Sequence, residues 1–254
     1  MDDFDVQIIP AADSSFWSTL FDTRISIQRP TFDFLSGGMP DRLIYHAGLD
    51  VTSWSVGAHG VVQWAANGFD RDGFIMRFFV SEGFERYTDG YRNYDTQITR
   101  GHVLPGYMIH IGGLELQMLA GFDGETDLLF INNAPKKWRS NIGVRGTIDA
   151  WFEATRFLML QTALSATTID NGYNTRIAAG WRLYDWFWVG PEAALSNDFF
   201  SQQTRFGAHI TGLRTGQFEW SAAAGHVQDN FQREGLYARF GLTIRPLRAP
   251  FFED

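Results

Sequence analysis

At 254 residues and a net charge of −8, the chain lacks the basic face that nucleic acid requires. It has no cysteine, which excludes disulfides and thiolate metal sites, and no run of about 18 apolar residues, which excludes transmembrane helices. A mean hydropathy of −0.19 beside 26 Gly, 23 Phe, 9 Trp and 8 Tyr suits a membrane-spanning barrel, whose strands are half wet and whose rims are aromatic.

The chain opens on Met1-Asp2-Asp3-Phe4-Asp5, which has neither a basic n-region nor an apolar h-region, so a mature form is expected. Residues Met1 to Arg42 show weak periodicity and read as an N-terminal extension. Ser14 or Ser15 is placed to cap a short helix through Phe21. Two readings stand side by side. The extension is a flexible periplasmic segment, or it packs in or under a barrel because Phe16, Trp17, Phe21, Phe32, Phe34 and Leu35 are too apolar to stay solvated.

From Leu43 the pattern has period two, the mark of strands whose successive side chains leave opposite faces. Leu43 to Trp54 sets Tyr45, Ala47, Leu49 and Val51 against His46, Gly48 and Asp50. Val56 to Trp64 repeats it, and Asn67-Gly68 through Gly73 is hairpin chemistry. Gly73 to Phe84 places Phe74, Met76, Phe78 and Val80 opposite Arg77 and Ser81, before a wet loop at Glu85 to Gly90. Gln97 to Ile111 follows, with Gly112-Gly113 as a tight return into Leu114 to Phe122. Asp123 to Trp138 reads as a long loop.

Asn141 to Glu153 sets Ile142, Val144, Ile148, Ala150 and Phe152 against Arg145, Thr147, Asp149 and Glu153. Phe157 to Thr168 is the poorest strand, because Leu158 and Leu160 break its polar parity. Five strands complete the series: 175–183, 187–196, 205–213, 217–227 and 237–245. In each, charges keep to one parity and apolar residues to the other. A long loop at Asp170-Asn171-Gly172 alternates with short returns at Tyr184-Asp185 and Arg214-Thr215-Gly216.

An apolar exterior and a polar interior are what a closed barrel in a bilayer requires. The expected fold is therefore all-β: a single antiparallel up-and-down transmembrane β-barrel of about twelve strands, spanning residues 43–247, with a C-terminal tail over 248–254. The outward Trp54, Trp64, Trp181, Trp220 and the Trp186 to Trp188 run read as interfacial girdle.

The inward parity carries the chemistry. It holds Asp50, Arg77, Glu115, Arg145, Asp149, Glu153, Arg176, Arg182, Glu192, Arg205, His209, Glu219, Arg239 and Arg245. Ladders of arginine and carboxylate across neighbouring strands would fill a narrow barrel and hold it rigid. The other reading is a hydrophilic conduit or sugar-binding wall, with Trp151 and Trp188 as inward stacking platforms.

His46, His59, His102, His110, His209 and His226 lack metal-ligand spacing and read as inward polar filler, so neither a metal nor a cofactor is expected. Ser221 and His226 fall on opposite parities and cannot serve one hydrolytic site, and no catalytic set is found.

The stretches Ala179-Gly180-Trp181-Arg182-Leu183 and Gly190-Pro191-Glu192-Ala193 resemble the BcsS family of cellulose biosynthesis proteins. So do Tyr45 to Asp50, Asp70 to Phe74, Pro105-Gly106-Tyr107, Ala120-Gly121 and Gly143 to Gly146. The likeness runs from about Leu43 to Ile244. It implies a bacterial outer-membrane barrel, accessory and non-enzymatic, in the biosynthesis or secretion of cellulose or a related exopolysaccharide. The partners it implies are outer-membrane lipid, the polysaccharide and components of the cellulose-synthase complex. The rival readings are a small-solute outer-membrane channel, a lipid- or glycan-modifying outer-membrane enzyme, and a soluble ligand-binding barrel.

Overall fold

A computed structural model describes residues 42–88, 93–132, 134–184, 186–198 and 201–245. The predicted helix near Ser14, most of the extension over 1–42 and the 248–254 tail lie outside them. The described chain forms twelve strands. They are β1 (Leu43–Thr52), β2 (Ser55–Ala65), β3 (Gly73–Thr88), β4 (Asn93–Ile111), β5 (Leu114–Ile131) and β6 (Ala134–Thr155), then β7 (Leu158–Thr167), β8 (Tyr173–Leu183), β9 (Phe187–Asn197), β10 (Gln202–Thr215), β11 (Phe218–Asp229) and β12 (Glu234–Ile244).

Each strand pairs antiparallel with its sequence neighbours, and β1 pairs with β12, so the sheet is a closed barrel with up-and-down order. Closure removes the open edges that a bilayer does not tolerate. The even count puts the start of β1 and the end of β12 at one end of the barrel, here called the near end.

The exterior carries the apolar parity, with Phe78, Val80, Phe122, Val144, Ile177, Phe206 and Phe240 all exposed. A soluble protein would bury such a belt; a lipid-facing wall displays it. Trp64, Trp181 and Trp220 project outward close to the near end, as an interfacial girdle should. Trp54 does not join them: it sits at the far end beneath the Arg233 guanidinium, 4.6 Å away, against the cluster of Ala223, Val227 and Tyr237.

Near-end returns are mostly tight. Gly112 (φ 58°) and Gly216 (φ 64°) take the left-handed conformation that a two-residue hairpin turn demands, and glycine adopts it without steric cost. At the far end the strands differ in height. β3 to β6 are 16, 19, 18 and 22 residues long, whereas the other eight have 10 to 14.

The segment Asp123 to Trp138 is thus strand rather than the long loop its composition suggested. β5 continues to Ile131 and β6 begins at Ala134. The ladder continues there, and the inward carboxylates of Asp123 and Asp127 meet Arg145 and Arg139 of the next strand. Glu85 to Thr88 likewise belongs to β3. On the outside a polar row, Glu82, Thr99, Thr126 and Ser140 in register, marks where this taller wall leaves the apolar belt. Past Arg145, β6 has no strand partner on its β7 side among the described residues; Val144 there exchanges bonds with Thr168.

Leu158 and Leu160 do not break the polar parity of β7. They face outward, and Met159, Gln161, Ala163 and Ser165 are the inward set by their pairing with Gly180, Ala178, Arg176 and Asn174. Pro105 and Pro191 also sit outward. The ladder skips two rungs at each, between Val103 and Gly106 and between Val189 and Glu192, because proline has no N–H to give. Register and parity resume unchanged beyond both.

Candidate functional site

The lumen is one cavity of about 1230 Å³ that reaches side chains at both ends of the barrel, from Glu85 and Asp198 at the far mouth to Arg214 and Arg245 at the near one. Parity places Arg77, Arg145, Asp149, Trp151, Glu153, Arg176, Arg182, Trp188, Glu192, Arg205, His209, Glu219 and Arg239 on its inner face, with Asp50, Glu115 and Arg245. They fall into three levels.

The middle level is a set of ion pairs. Some join adjacent strands: Arg145 to Asp123 at 2.8 Å and Arg176 to Glu192 at 2.8 Å. Others run as chords between strands three apart in the barrel: Arg77 to Asp149 at 2.7 Å, Arg205 to Asp50 at 2.7 Å and Arg239 to Glu192 at 2.6 Å. The predicted ladders therefore exist only in part, and the chords narrow the passage instead of tracing its wall. Gln117 accepts from Arg77 and Gln63 and donates to Glu115, so the β2, β3 and β5 walls are cross-linked as well.

Glu192 is the hub. Arg176 donates two bonds to it, Arg239 donates one, and the Tyr237 hydroxyl donates another at 2.9 Å. The local sequence makes this possible. One register row reads Glu192, Gly207, Gly225 and Tyr237 across β9 to β12. The two glycines leave a bare floor over which the tyrosine lies; a Cβ on Gly207 would stand 2.5 Å from the Tyr237 hydroxyl. His209 is buried nearby, with Nε2 against the Ala179 carbonyl at 3.1 Å and Nδ1 against Thr211 Oγ1 at 3.2 Å.

At the near level, Arg182 lies over the face of Trp188 at 4.4 Å, and Trp151 meets the same indole edge-on with centroids 6.2 Å apart. Trp188 is only 4% exposed, so it does not offer the stacking platform its parity suggested. It is sunk into the wall because the flanking strands present Gly180 and Gly212; a Cβ on either would stand 3.1 and 3.3 Å from Trp188 atoms. Trp151 remains half-exposed, its Nε1 donating to Glu153 at 3.3 Å. Glu219 draws Arg214 to 3.0 Å and Arg245 to 3.8 Å.

The far level was not singled out from sequence. Arg139 meets three carboxylates, Glu125, Asp127 and Asp170, at 3.3, 2.6 and 2.7 Å. Arg100 joins Glu125 on β5 to Asp198 on the β9–β10 turn across the mouth. Arg233, from the β11–β12 turn, holds Asp229 and reaches Glu85 on β3. Strand parity, had it been carried through Asp123 to Trp138, would have found Glu125, Asp127 and Arg139. Asp170 and Asp198 lie in turns, where no periodicity points to them.

The histidines divide differently from expectation. His46, His59 and His102 line the lumen in a stacked series with Phe79, at centroid distances of 5.3, 5.9 and 4.3 Å. His110 faces Asp72 and Glu115 at the near rim. His226 is outward, in register with Phe206 and Leu236, and is not lumen filler. Ser221 and His46 approach each other over Gly241, and His46 Nδ1 pairs with Thr243 Oγ1 at 3.0 Å. No hydrogen-bonded series of nucleophile, imidazole and carboxylate is present among the described residues. No three potential ligands there stand close enough to hold a metal ion.

A family model described as cellulose biosynthesis protein BcsS matches residues 44–246. None of the curated proteins is similar enough to match. Among solved structures, the transport unit of the autotransporter AIDA-I from Escherichia coli is similar at a TM-score of 0.53 and 9% identity, over 92% of this chain and 95% of that one. The translocator domain of the autotransporter NalP from Neisseria meningitidis is similar at 0.49 and 12%, over 80% and 88%. The KdgM porin is similar at 0.45 and 10%, over 79% and 98%. At these identities the likeness is one of fold, that of outer-membrane barrels.

Proposed function

Because the chain belongs to the BcsS family of cellulose biosynthesis proteins, we propose that it is a non-enzymatic outer-membrane barrel that assists the secretion or surface attachment of cellulose through its lumen. The near end, with both barrel termini and the tight returns, faces the periplasm, and the taller far end faces outward. The observation that carries the reading is the single polar cavity reaching both mouths.

Within it, the guanidinium and carboxylate groups of Arg77, Arg145, Asp149, Arg176, Arg205 and Arg239 supply the donors and acceptors that sugar hydroxyls use. Glu153, Arg182 and Glu219 extend that lining, while Glu192 and His209 are buried in the wall behind it. Trp151, left half-exposed beside Glu153, is the indole a pyranose ring would meet on the periplasmic side; Trp188 supports it from behind. The cellulose-synthase components and outer-membrane lipid are its partners in this reading.

The test is deletion of the encoding gene in a cellulose-producing host, followed by measurement of surface-attached and released cellulose. Loss or redistribution of surface cellulose, restored by the intact barrel but not by Trp151→Ala at equal abundance, is the expected result. Unchanged cellulose in the deletion strain would remove the role.

A further inference from the structure

We propose that the stacked rings of His46, His59, Phe79 and His102 form a contact strip for an uncharged, unbranched glucan chain along one wall of the lumen. The inference rests on the cellulose reading above and deepens it, because it names the wall the chain follows and the kind of chain accepted.

The four rings come from four consecutive strands, β1 to β4, and all of them line the cavity. Together they climb it. His46 lies three residues from the near end of its strand, His59 and Phe79 six, and His102 nine. Bare backbone gives the histidines room. A Cβ on Gly48 would stand 2.5 Å from His59 Nε2, and one on Gly241 would stand 3.1 Å from His46 Cε1. Successive ring planes differ by 27°, 20° and 2°. Since the stack runs along the wall, the rings largely cover one another's faces and the lumen meets their edges.

Those edges carry the unclaimed polar atoms of the middle lumen. Each of the five arginines there already gives at least one guanidinium N–H to a carboxylate. A sugar hydroxyl cannot compete with a carboxylate for that donor. Among the described residues His59 and His102 make no hydrogen bond, and His46 makes one, between Nδ1 and Thr243 Oγ1. His102 Nδ1 is sealed in the wall, which leaves Nε2 as its lumen-side atom. A neutral imidazole has one donor and one acceptor, and a hydroxyl can answer both without displacing anything. Phe79 supplies the apolar part. It is a phenyl ring on the otherwise polar parity, half-buried rather than closed off, and the C–H surface of a pyranose would cover it. Ser81, the register partner of His59, adds a lumen-side hydroxyl.

The experiment titrates cellohexaose into the purified full chain in detergent. Calorimetry gives the affinity, and the imidazole Cε1–H resonances, each assigned with its own His→Gln variant, give the position. The signals of His46, His59 and His102 should move, and that of the outward His226 should not. His59→Phe keeps a ring in the stack but removes both nitrogens, and Phe79→Ala removes the apolar ring. Each should weaken binding several-fold while the barrel stays compact before heating. Absence of binding at millimolar cellohexaose would overturn the strip, as would a complex that leaves the three imidazole signals in place or full affinity in both variants. An oligoglucuronate of equal length that moves the same signals and binds more tightly would overturn the assignment to uncharged chains. The cellulose role is decided in cells by the deletion strain, so its failure and that of the strip are told apart.

Discussion

Tyr237 on β12 reaches three strands along the barrel wall to place its hydroxyl 2.9 Å from Glu192 on β9. It does so over Gly225 and Gly207, which share its register row. The bond brings a fourth donor to a carboxylate that already receives three from Arg176 and Arg239.

Glu192→Gln is therefore expected to destabilise the barrel by about 3–5 kcal/mol, because two guanidinium groups lose their shared counter-charge in the wall. Tyr237→Phe should cost about 1.5–3 kcal/mol, the worth of one hydrogen bond to a charged group. Denaturant unfolding in detergent, followed by the gel shift between compact and unfolded forms, measures both. A Glu192→Gln barrel as resistant as the parent would show that the hub contributes nothing.

Gly207→Val should cost more than Tyr237→Phe, since a side chain there meets the backbone carbonyl oxygen of Ala224, 2.2 Å from an added Cβ, as well as the floor that the tyrosine crosses. Combined with Tyr237→Phe it should cost less than the two separately, because both act on one contact. A double-mutant cycle in the same unfolding assay checks the coupling.

Gly180→Leu is expected to expel Trp188 from its slot and release Arg182 from the indole face. The readout is tryptophan fluorescence: emission should shift to the red and become accessible to an aqueous quencher. Trp151→Phe in the same background separates the signal of the neighbouring indole.

Ala120→Arg places a charge on the lipid-facing parity well inside the apolar belt and should cost about 2–4 kcal/mol if it lies near the bilayer midplane. Thr126→Arg, six residues along β5 in the outward polar row, should be tolerated. Insertion yield and unfolding in vesicles compare the two; equal penalties would mean that the belt ends elsewhere.

The barrel itself was legible in the sequence wherever one parity stayed apolar, as in Ile177, Ala179, Trp181 and Leu183. It became illegible where the wall rises above the membrane. Around Asp123 to Trp138 the lipid no longer selects greasy outward residues, so Thr126 and Ser140 replace them and the alternation fades although the ladder continues. Parity placed the inward charges of the middle level apart from Asp123, which fell in the stretch that reads as a loop, but it did not place their partners. Period two fixes the face on which Arg205 stands, whereas curvature decides that it meets Asp50 on β1. Trp188 shows the remaining gap. Its face was readable, and its burial depended on Gly180 and Gly212 on the strands beside it, which no single strand reveals.

The unequal strand heights have a consequence for approach. With β3 to β6 standing tall and the turns after β7, β9 and β11 kept low, the far rim, over the described residues, is an awning rather than a collar. Anything arriving at that end finds the opening from one flank, with the four-stranded screen as its backdrop. The vertical border of that screen is the unpartnered part of β6, and its tip carries Pro135 with Lys136 and Lys137, the only lysines in the chain. Proline and lysine are residues that discourage a stray strand from adding to an open border. The barrel thus has a front and a back, and its most exposed seam is the one it guards.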